Sequence, residues 1–183
     1  MKIHLETERL FMRDLMDEDV NGLFAMDSDP EVHKYLGNKP IVTLAEAQKY
    51  IDFIKQQYLD YGIGRWAVVE MESNNFVGWS GFKFVTDVVN GKTQYYDLGY
   101  RFLRKYWGKG YASETAIASL EHGFKELNLE EIVGIADVAH KASNTILQKV
   151  GLLKRNEFSY DGTFHNFYSL SKKEWLRNHK NSY

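Results

Sequence analysis

Arg104-Lys105-Tyr106-Trp107-Gly108-Lys109-Gly110-Tyr111-Ala112 is the stretch on which the reading of this chain turns. The residues before it, from about Gln94 to Phe102, have the character of a strand. Those after it place Ala116, Leu120, Phe124 and Leu127 on one face of a helix. A basic, aromatic Gly-x-Gly turn therefore joins strand to helix. Glycine lets the backbone turn tightly and approach a ligand. The helix N-terminus presents free N–H groups and positive potential to an anion. Arg104, Lys105 and Lys109 add positive charge, so a diphosphate is the natural partner. A plain glycine turn with solvated basic side chains would give the same pattern, because a lone Gly-x-Gly is a weak signal. A Walker loop needs Lys-Ser or Lys-Thr after its last glycine, and Tyr111-Ala112 follows here. A dinucleotide loop needs Gly or Ala where Ser113 stands, and it follows its strand directly.

Working outward toward the C-terminus, Ile132 to Ala136 reads as a short apolar strand. Ala142 to Val150 reads as a helix stopped by Gly151. Leu153–Tyr160 and Phe164–Leu170 read as two strands about the turn Asp161-Gly162. Toward the N-terminus, Asn90-Gly91 is a hairpin signal. Strands are expected at Trp66–Met71 and Phe76–Phe84. Thr43-Leu44-Ala45-Glu46 is a capping box, and behind it Leu44, Ala47, Ile51, Ile54 and Tyr58 recur at helical spacing as far as Gly62 and Gly64. Asp29-Pro30 starts a short helix, Asp17-Glu18-Asp19 supplies acids to a helix running toward Met26, and Arg9–Arg13 is a first strand. This order predicts an α+β fold with one strand–helix–strand crossover.

The 183 residues suit one domain spanning 1–183. The chain is 44% hydrophobic and 26% charged, hence globular. Without cysteine, it can have no disulfide, thiolate metal site or thiol nucleophile. The histidines lack metal-ligand spacing, and no metal is expected. The net charge of −2 argues against a nucleic-acid surface. No stretch approaches the ~18 apolar residues of a membrane span, and the first residues lack a signal peptide's apolar run. A cytoplasmic protein is expected.

The glycine loop resembles the acetyl-CoA loop of the GNAT superfamily, usually Gln/Arg-x-x-Gly-x-Gly/Ala, with Lys105 in the first position. Leu5-Glu6-Thr7-Glu8-Arg9-Leu10 with Arg13, Ser28-Asp29-Pro30-Glu31-Val32, Leu98-Gly99-Tyr100 and Ala142-Ser143 with Lys149-Val150-Gly151 resemble the RimJ/RimL-like, ribosomal-protein N-acetyltransferase branch. The resemblance covers nearly the whole chain in order. It departs at His140, where the family has Asn, and at Leu152, where it has Phe. It implies a GNAT fold: a mixed, mostly antiparallel sheet, splayed at the acetyl-CoA site and flanked by helices. It also implies direct transfer of acetyl from acetyl-CoA to a primary amine, such as a protein or peptide N-terminus. A polyamine, amino acid or aminoglycoside acceptor, or a non-catalytic acyl-CoA-binding module, are the alternatives. Monomer and homodimer are both open.

By the same resemblance, the backbone of Phe102, Leu103 and Arg104 holds the pantetheine arm. The amides from Lys105 through Gly108, Lys109, Gly110 and Tyr111 to Ala112 hold the diphosphate. Ser143 is the general-acid candidate beside the thiol; the alternative is a helix-capping serine. His140 is a second candidate, since imidazole titrates near neutrality, against a plain surface-loop histidine. Asp97 stands where a base would meet the amine, against an exposed strand acid. Tyr95 and Tyr96 are candidates for the acceptor cleft, although aromatic strand residues usually pack.

Overall fold

A computed structural model describes residues 2–180. The strands are β1 (Ile3–Glu6), β2 (Leu10–Asp14), β3 (Arg65–Glu70), β4 (Asn75–Val85), β5 (Tyr95–Phe102), β6 (Glu131–Asp137), β7 (Leu153–Tyr160) and β8 (Thr163–Ser171). The helices are α1 (Val20–Asp27), α2 (Pro30–His33), α3 (Leu44–Tyr61), α4 (Tyr111–Lys125), α5 (Lys141–Lys149) and α6 (Lys172–Lys180). Two elements escape the sequence pattern. β1 is a short edge strand without a buried face, and α6 is a strongly polar helix whose buried anchor is Trp175.

Local chemistry explains the main boundaries. At the start of α3 the Thr43 hydroxyl accepts from the Glu46 N–H at 3.3 Å, and the Glu46 carboxylate accepts from the Thr43 N–H at 2.9 Å. Gly62 ends the helix in left-handed backbone. The buried stripe Ala47, Ile51 and Ile54 packs with Leu15, Leu23, Met26, Ala67 and Trp79 on one face of the sheet. On the other face α4 and α5 contribute Ala116, Leu120, Phe124 and Leu147 to a larger cluster with Val68, Phe82, Leu98 and Tyr168. Being covered on both faces, β3 is buried almost throughout and reads as a continuous apolar run.

The sheet runs β1-β2-β3-β4-β5-β6-β8-β7. Every neighbouring pair is antiparallel except β5 and β6, which are parallel and joined through α4. β5 pairs with β4 along its whole length, from Tyr95 opposite Val85 to Phe102 opposite Gly78. With β6 it pairs only at Tyr96–Ile132 and Asp97–Val133. Beyond those residues the strands part, while β6 keeps its pairing to β8 as far as Asp137–His165. The sheet is thus split from one end in its middle, and the edge Leu98–Phe102 faces the opening.

The packing behind that split should be sensitive to volume. Phe82 is fully buried, edge-on to Trp66 with centroids 6.1 Å apart, and a Cβ added at Gly123 would lie 2.9 Å from its ring. Phe82→Ala is expected to cost about 3–5 kcal/mol. Urea denaturation of the two proteins measures it, and a loss below about 1 kcal/mol would contradict this packing.

Candidate active site

The split opens into a cleft of about 1190 Å³. The free β5 edge, the loop from Tyr106 to Gly108, the first turn of α4 and the start of α5 line one end. Lys83, Asp97, Tyr160 and His165 line the other, and the segment Glu31–Leu36 borders it. Alternation along β5 divides its side chains. Tyr96, Leu98, Tyr100 and Phe102 join the cluster under α4, while Asp97, Gly99 and Arg101 point the opposite way.

At the glycine loop, Gly108 and Gly110 have φ of +76° and +84°, where L side chains are strained. Gly110 is the N-cap of α4, and no side chain caps that helix. Its first N–H groups lie at the cleft with the helix dipole behind them. Leu103, Arg104, Lys105 and Lys109 stand beside the cleft and are not among the residues lining it. Arg104 is paired with Asp29 at 2.9 Å, and Lys109 lies 3.6 Å from Glu70 and over the Tyr106 ring. Lys105 also sits over Tyr106. Tyr106 stacks on Tyr111, whose hydroxyl donates to Glu70; that bond pushes the phenol up to about 12. Arg9, which sequence reasoning passed over, lies 4.7 Å over Tyr111 and holds Glu114 through two hydrogen bonds of 2.9 and 2.6 Å. Glu114, in the first turn of α4, thereby ties that helix to the chain before β2, also accepting from the Thr7 hydroxyl at 2.6 Å.

At the start of α5 the N-cap is His140, so Ser143 is not the cap. The Ser143 hydroxyl instead lies 3.3 Å from the Tyr100 hydroxyl, which also donates to the Ser143 carbonyl at 3.2 Å. Ser143 and Tyr100 therefore meet across the split. Burial raises the Tyr100 phenol above its ordinary range, so it is a neutral donor. Asn144 fixes this corner: its amide donates to the carbonyls of Asp137 and His140, and its oxygen accepts from Asn166 and Tyr168. His140 is half-buried and stacked on Tyr35, with centroids 4.5 Å apart. Burial lowers its pKa, against the pull of Asp137.

Asp97 is not an exposed strand acid. Its Oδ2 accepts from Arg65 at 2.6 Å, and its backbone carbonyl accepts from the same guanidinium at 2.8 Å. Arg65 leaves no room for a side chain at residue 99: a Cβ on Gly99 would lie 2.5 Å from Nη2. Arg65 and Arg101 both lie over the Trp79 ring, at 4.9 and 5.1 Å, and Arg101 is held by Asp27 at 2.8 Å. Lys83 lies opposite Asp97 on β4; burial lowers its pKa, Asp97 opposes that shift and Arg65 adds to it. Tyr95 and Tyr96 do not line the cleft; they pack against Phe167 and Phe84. Among the described residues no group of three or more His, Asp or Glu side chains forms a metal-binding cluster. No helix among them is long and apolar enough to cross a membrane.

A sheet opened between two parallel strands, with an uncapped helix N-terminus at the mouth, is the architecture of an N-acetyltransferase. The family model described as "Acetyltransferase (GNAT) domain" matches residues 9–153. The "Uncharacterized N-acetyltransferase p20" of Bacillus licheniformis is 34% identical, covering 84% of this chain and 86% of its own length. The FsC-acetyl coenzyme A-N(2)-transacetylase of Aspergillus fumigatus is 30% identical, covering 97% and 80%. The structure of RimL, a ribosomal L7/L12 alpha-N-protein acetyltransferase in complex with coenzyme A, shares the fold. Its TM-score is 0.78 over 93% of this chain and 98% of that one, at 16% identity. This chain belongs to the GNAT acetyltransferase family and is an acetyl-CoA-dependent N-acetyltransferase.

Three histidines should make the fold acid-sensitive. Burial comes first among the causes that lower the pKa of His33, His122 and His140 from 6.5. The unfolded chain then binds more protons, so stability is full above pH 6.5 and is lost as pH falls from there to the folded values. Urea midpoints should decrease between pH 7.5 and 5.5. His140→Gln should flatten part of that slope, and an unchanged slope would contradict the burial of this ring.

Proposed function

We propose that this enzyme acetylates the primary amine of a peptide-like acceptor, in the first instance a protein or peptide N-terminus. The observation that carries the reading is the continuous cleft. It leads from the uncapped α4 N-terminus, along the free edge Leu98–Phe102, to the Tyr100–Ser143 pair and then to the charged floor around Asp97. An elongated anionic thioester matches that sequence of surfaces. The N–H groups around Gly108–Ala112 would hold the diphosphate, and the free edge of β5 from Leu98 would hold the pantetheine amides as an added strand, as far as Phe102, whose carbonyl already accepts from the Trp107 indole N–H at 2.8 Å. The named role of the loop cations is then mainly long-range, since Arg104 and Lys109 already have acidic neighbours.

Acetyl-CoA, when bound, supplies a thioester carbonyl whose C–S bond breaks as the acceptor nitrogen forms its bond to carbon. The Ser143 hydroxyl is suited to donate a hydrogen bond or a proton to the departing sulfur. Tyr100 orients that hydroxyl from across the split. His140, whose pKa burial lowers against the pull of Asp137, is a second proton-handling group at the same corner. Asp97, bound to Arg65 through one oxygen, is suited to orient the incoming amine, directly or through water. The amine's proton leaves through water in the open cleft. RimL gives the N-terminal reading a precedent in the same fold. The spermidine N-acetyltransferase of Vibrio cholerae shares the fold and acts, by its name, on a polyamine, which keeps a small-molecule amine as the second reading. A screen of thiol release from acetyl-CoA with N-terminal peptides, amino acids, spermidine and an aminoglycoside separates the two.

Two substitutions test the assignments. A Cβ-branched side chain at Gly110 strains a φ of +84° and grows from a Cβ that would lie 3.5 Å from Arg9 Nη2. A folded Gly110→Val variant should lose coenzyme A binding by at least about 100-fold in calorimetry, and unchanged affinity would sink the phosphate assignment. Ser143→Ala should lower kcat by about tenfold to 100-fold, at or below the lower end for a general acid, because a thiolate leaves readily. Its melting temperature should stay close to wild type, since Ser143 does not cap α5. Full activity would transfer the role to His140.

A further inference from the structure

We propose that Lys83 selects acceptors whose amine lies close to a carboxylate: an amino acid, or a peptide beginning with an acidic residue. This inference rests on the acetyl-transfer reading and deepens it by naming the acceptor's chemistry.

Three cations form the floor of the cleft beyond the split, and two are neutralised. Arg65 is bound to Asp97 and to the carbonyls of residues 81 and 97. Arg101 is bound to Asp27. Lys83 lines the same cleft, and its ammonium makes no hydrogen bond or ion pair with any described residue. Its cross-strand neighbour Asp97 is the acid that would otherwise serve it, but Arg65 holds that carboxylate at 2.6 Å. Asp97 and Asp87 act on Lys83 only from beyond contact distance, and a partly buried cation with no paired counter-ion is unfavourable, a cost that a bound anion reduces. The depression of the Lys83 pKa by burial is the same imbalance seen from the protein's side.

Position makes the anion part of the acceptor. Asp97 is the last β5 residue paired to β6, and the free edge begins at Leu98. Lys83 stands opposite Asp97, two residues from Gly99, or about 7 Å along the sheet at ordinary strand rise. That distance is within the reach of an extended lysine side chain. An amine presented at the opening can therefore carry its carboxylate to Lys83 only if the two groups are a few bonds apart. A polyamine would bring further positive charge against Lys83.

The experiment uses the full chain, acetyl-CoA and thiol detection, with matched acceptors. These are an α-amino acid and its carboxamide, peptides beginning Asp and Asn, and spermidine. The wild-type enzyme should favour the carboxylate member of at least one pair by about tenfold in kcat/KM, as one charge-assisted contact provides. Which pair responds tells whether the source is a free amino acid or a peptide. Lys83→Met should bring that ratio close to one through a raised KM, and Lys83→Arg should keep most of it. Rising salt should raise KM for the acid and not for the amide, which tests the wild type without any variant. Equal use of acid and amide, preference for spermidine, or equal losses on both members in Lys83→Met would each overturn the role of Lys83 alone. No thiol release from any acceptor would remove it together with the acceptor reading.

Discussion

The parting of β5 from β6 is the constraint on which the rest of the molecule depends. Two parallel strands share only two register pairs and then diverge, which leaves backbone donors and acceptors unpaired in the middle of an eight-stranded sheet. A buried unpaired backbone group costs about 1–3 kcal/mol, so such a split persists only where other contacts over-determine it. Here β4 holds the whole of β5 from one side, and β8 holds the whole of β6 from the other. Helices α4 and α5 close the face beneath, with Leu120, Phe124 and Leu147 in the larger core. The opening is thus a stable feature of a well-packed sheet.

What fills the opening follows from where the helices begin. The start of α4 reaches it because the loop after β5 turns back through two left-handed glycines. The start of α5 reaches it because β6 runs past the point of divergence before the chain turns at Asp137–His140, a corner pinned by the four hydrogen bonds of Asn144. An uncapped helix N-terminus, a free strand edge and a hydroxyl pair then border one cleft. Beside these lies a charged floor: Arg65, Asp97, Arg101, Asp27 and Lys83 form a set in which Arg65 is bound to Asp97, Arg101 to Asp27, and Lys83 to neither acid.

Much of this was legible in the residues. The strand–Gly-x-Gly–helix junction, the capping box of α3, the Asn90-Gly91 turn and the crossover from β5 to β6 each carry a local signal, because turn geometry and periodicity are short-range properties. The first strand was placed at Arg9–Arg13 and lies at Leu10–Asp14, a shift of one residue. β1 and α6 were missed because neither has a periodic apolar face of its own. Ser143 was legible only through resemblance, and its partner Tyr100 lies 43 residues away on another strand. Arg65 and Asp97 are 32 residues apart, and nothing in either neighbourhood announces the pair.

The sequence by itself determined most of the elements, their order and the chemistry of the glycine loop, since glycine's permitted dihedrals and a helix's free amides are local facts. Tertiary structure alone decided which charges remain free. Arg104 looked like a phosphate ligand and is held by Asp29; Asp97 looked like a free acid and is held by Arg65; Lys83 attracted no notice and lines the cleft with no ion pair to a described residue. Charge is written in the sequence, but neutralisation depends on which side chains the folded sheet and helices bring within a few ångströms of one another.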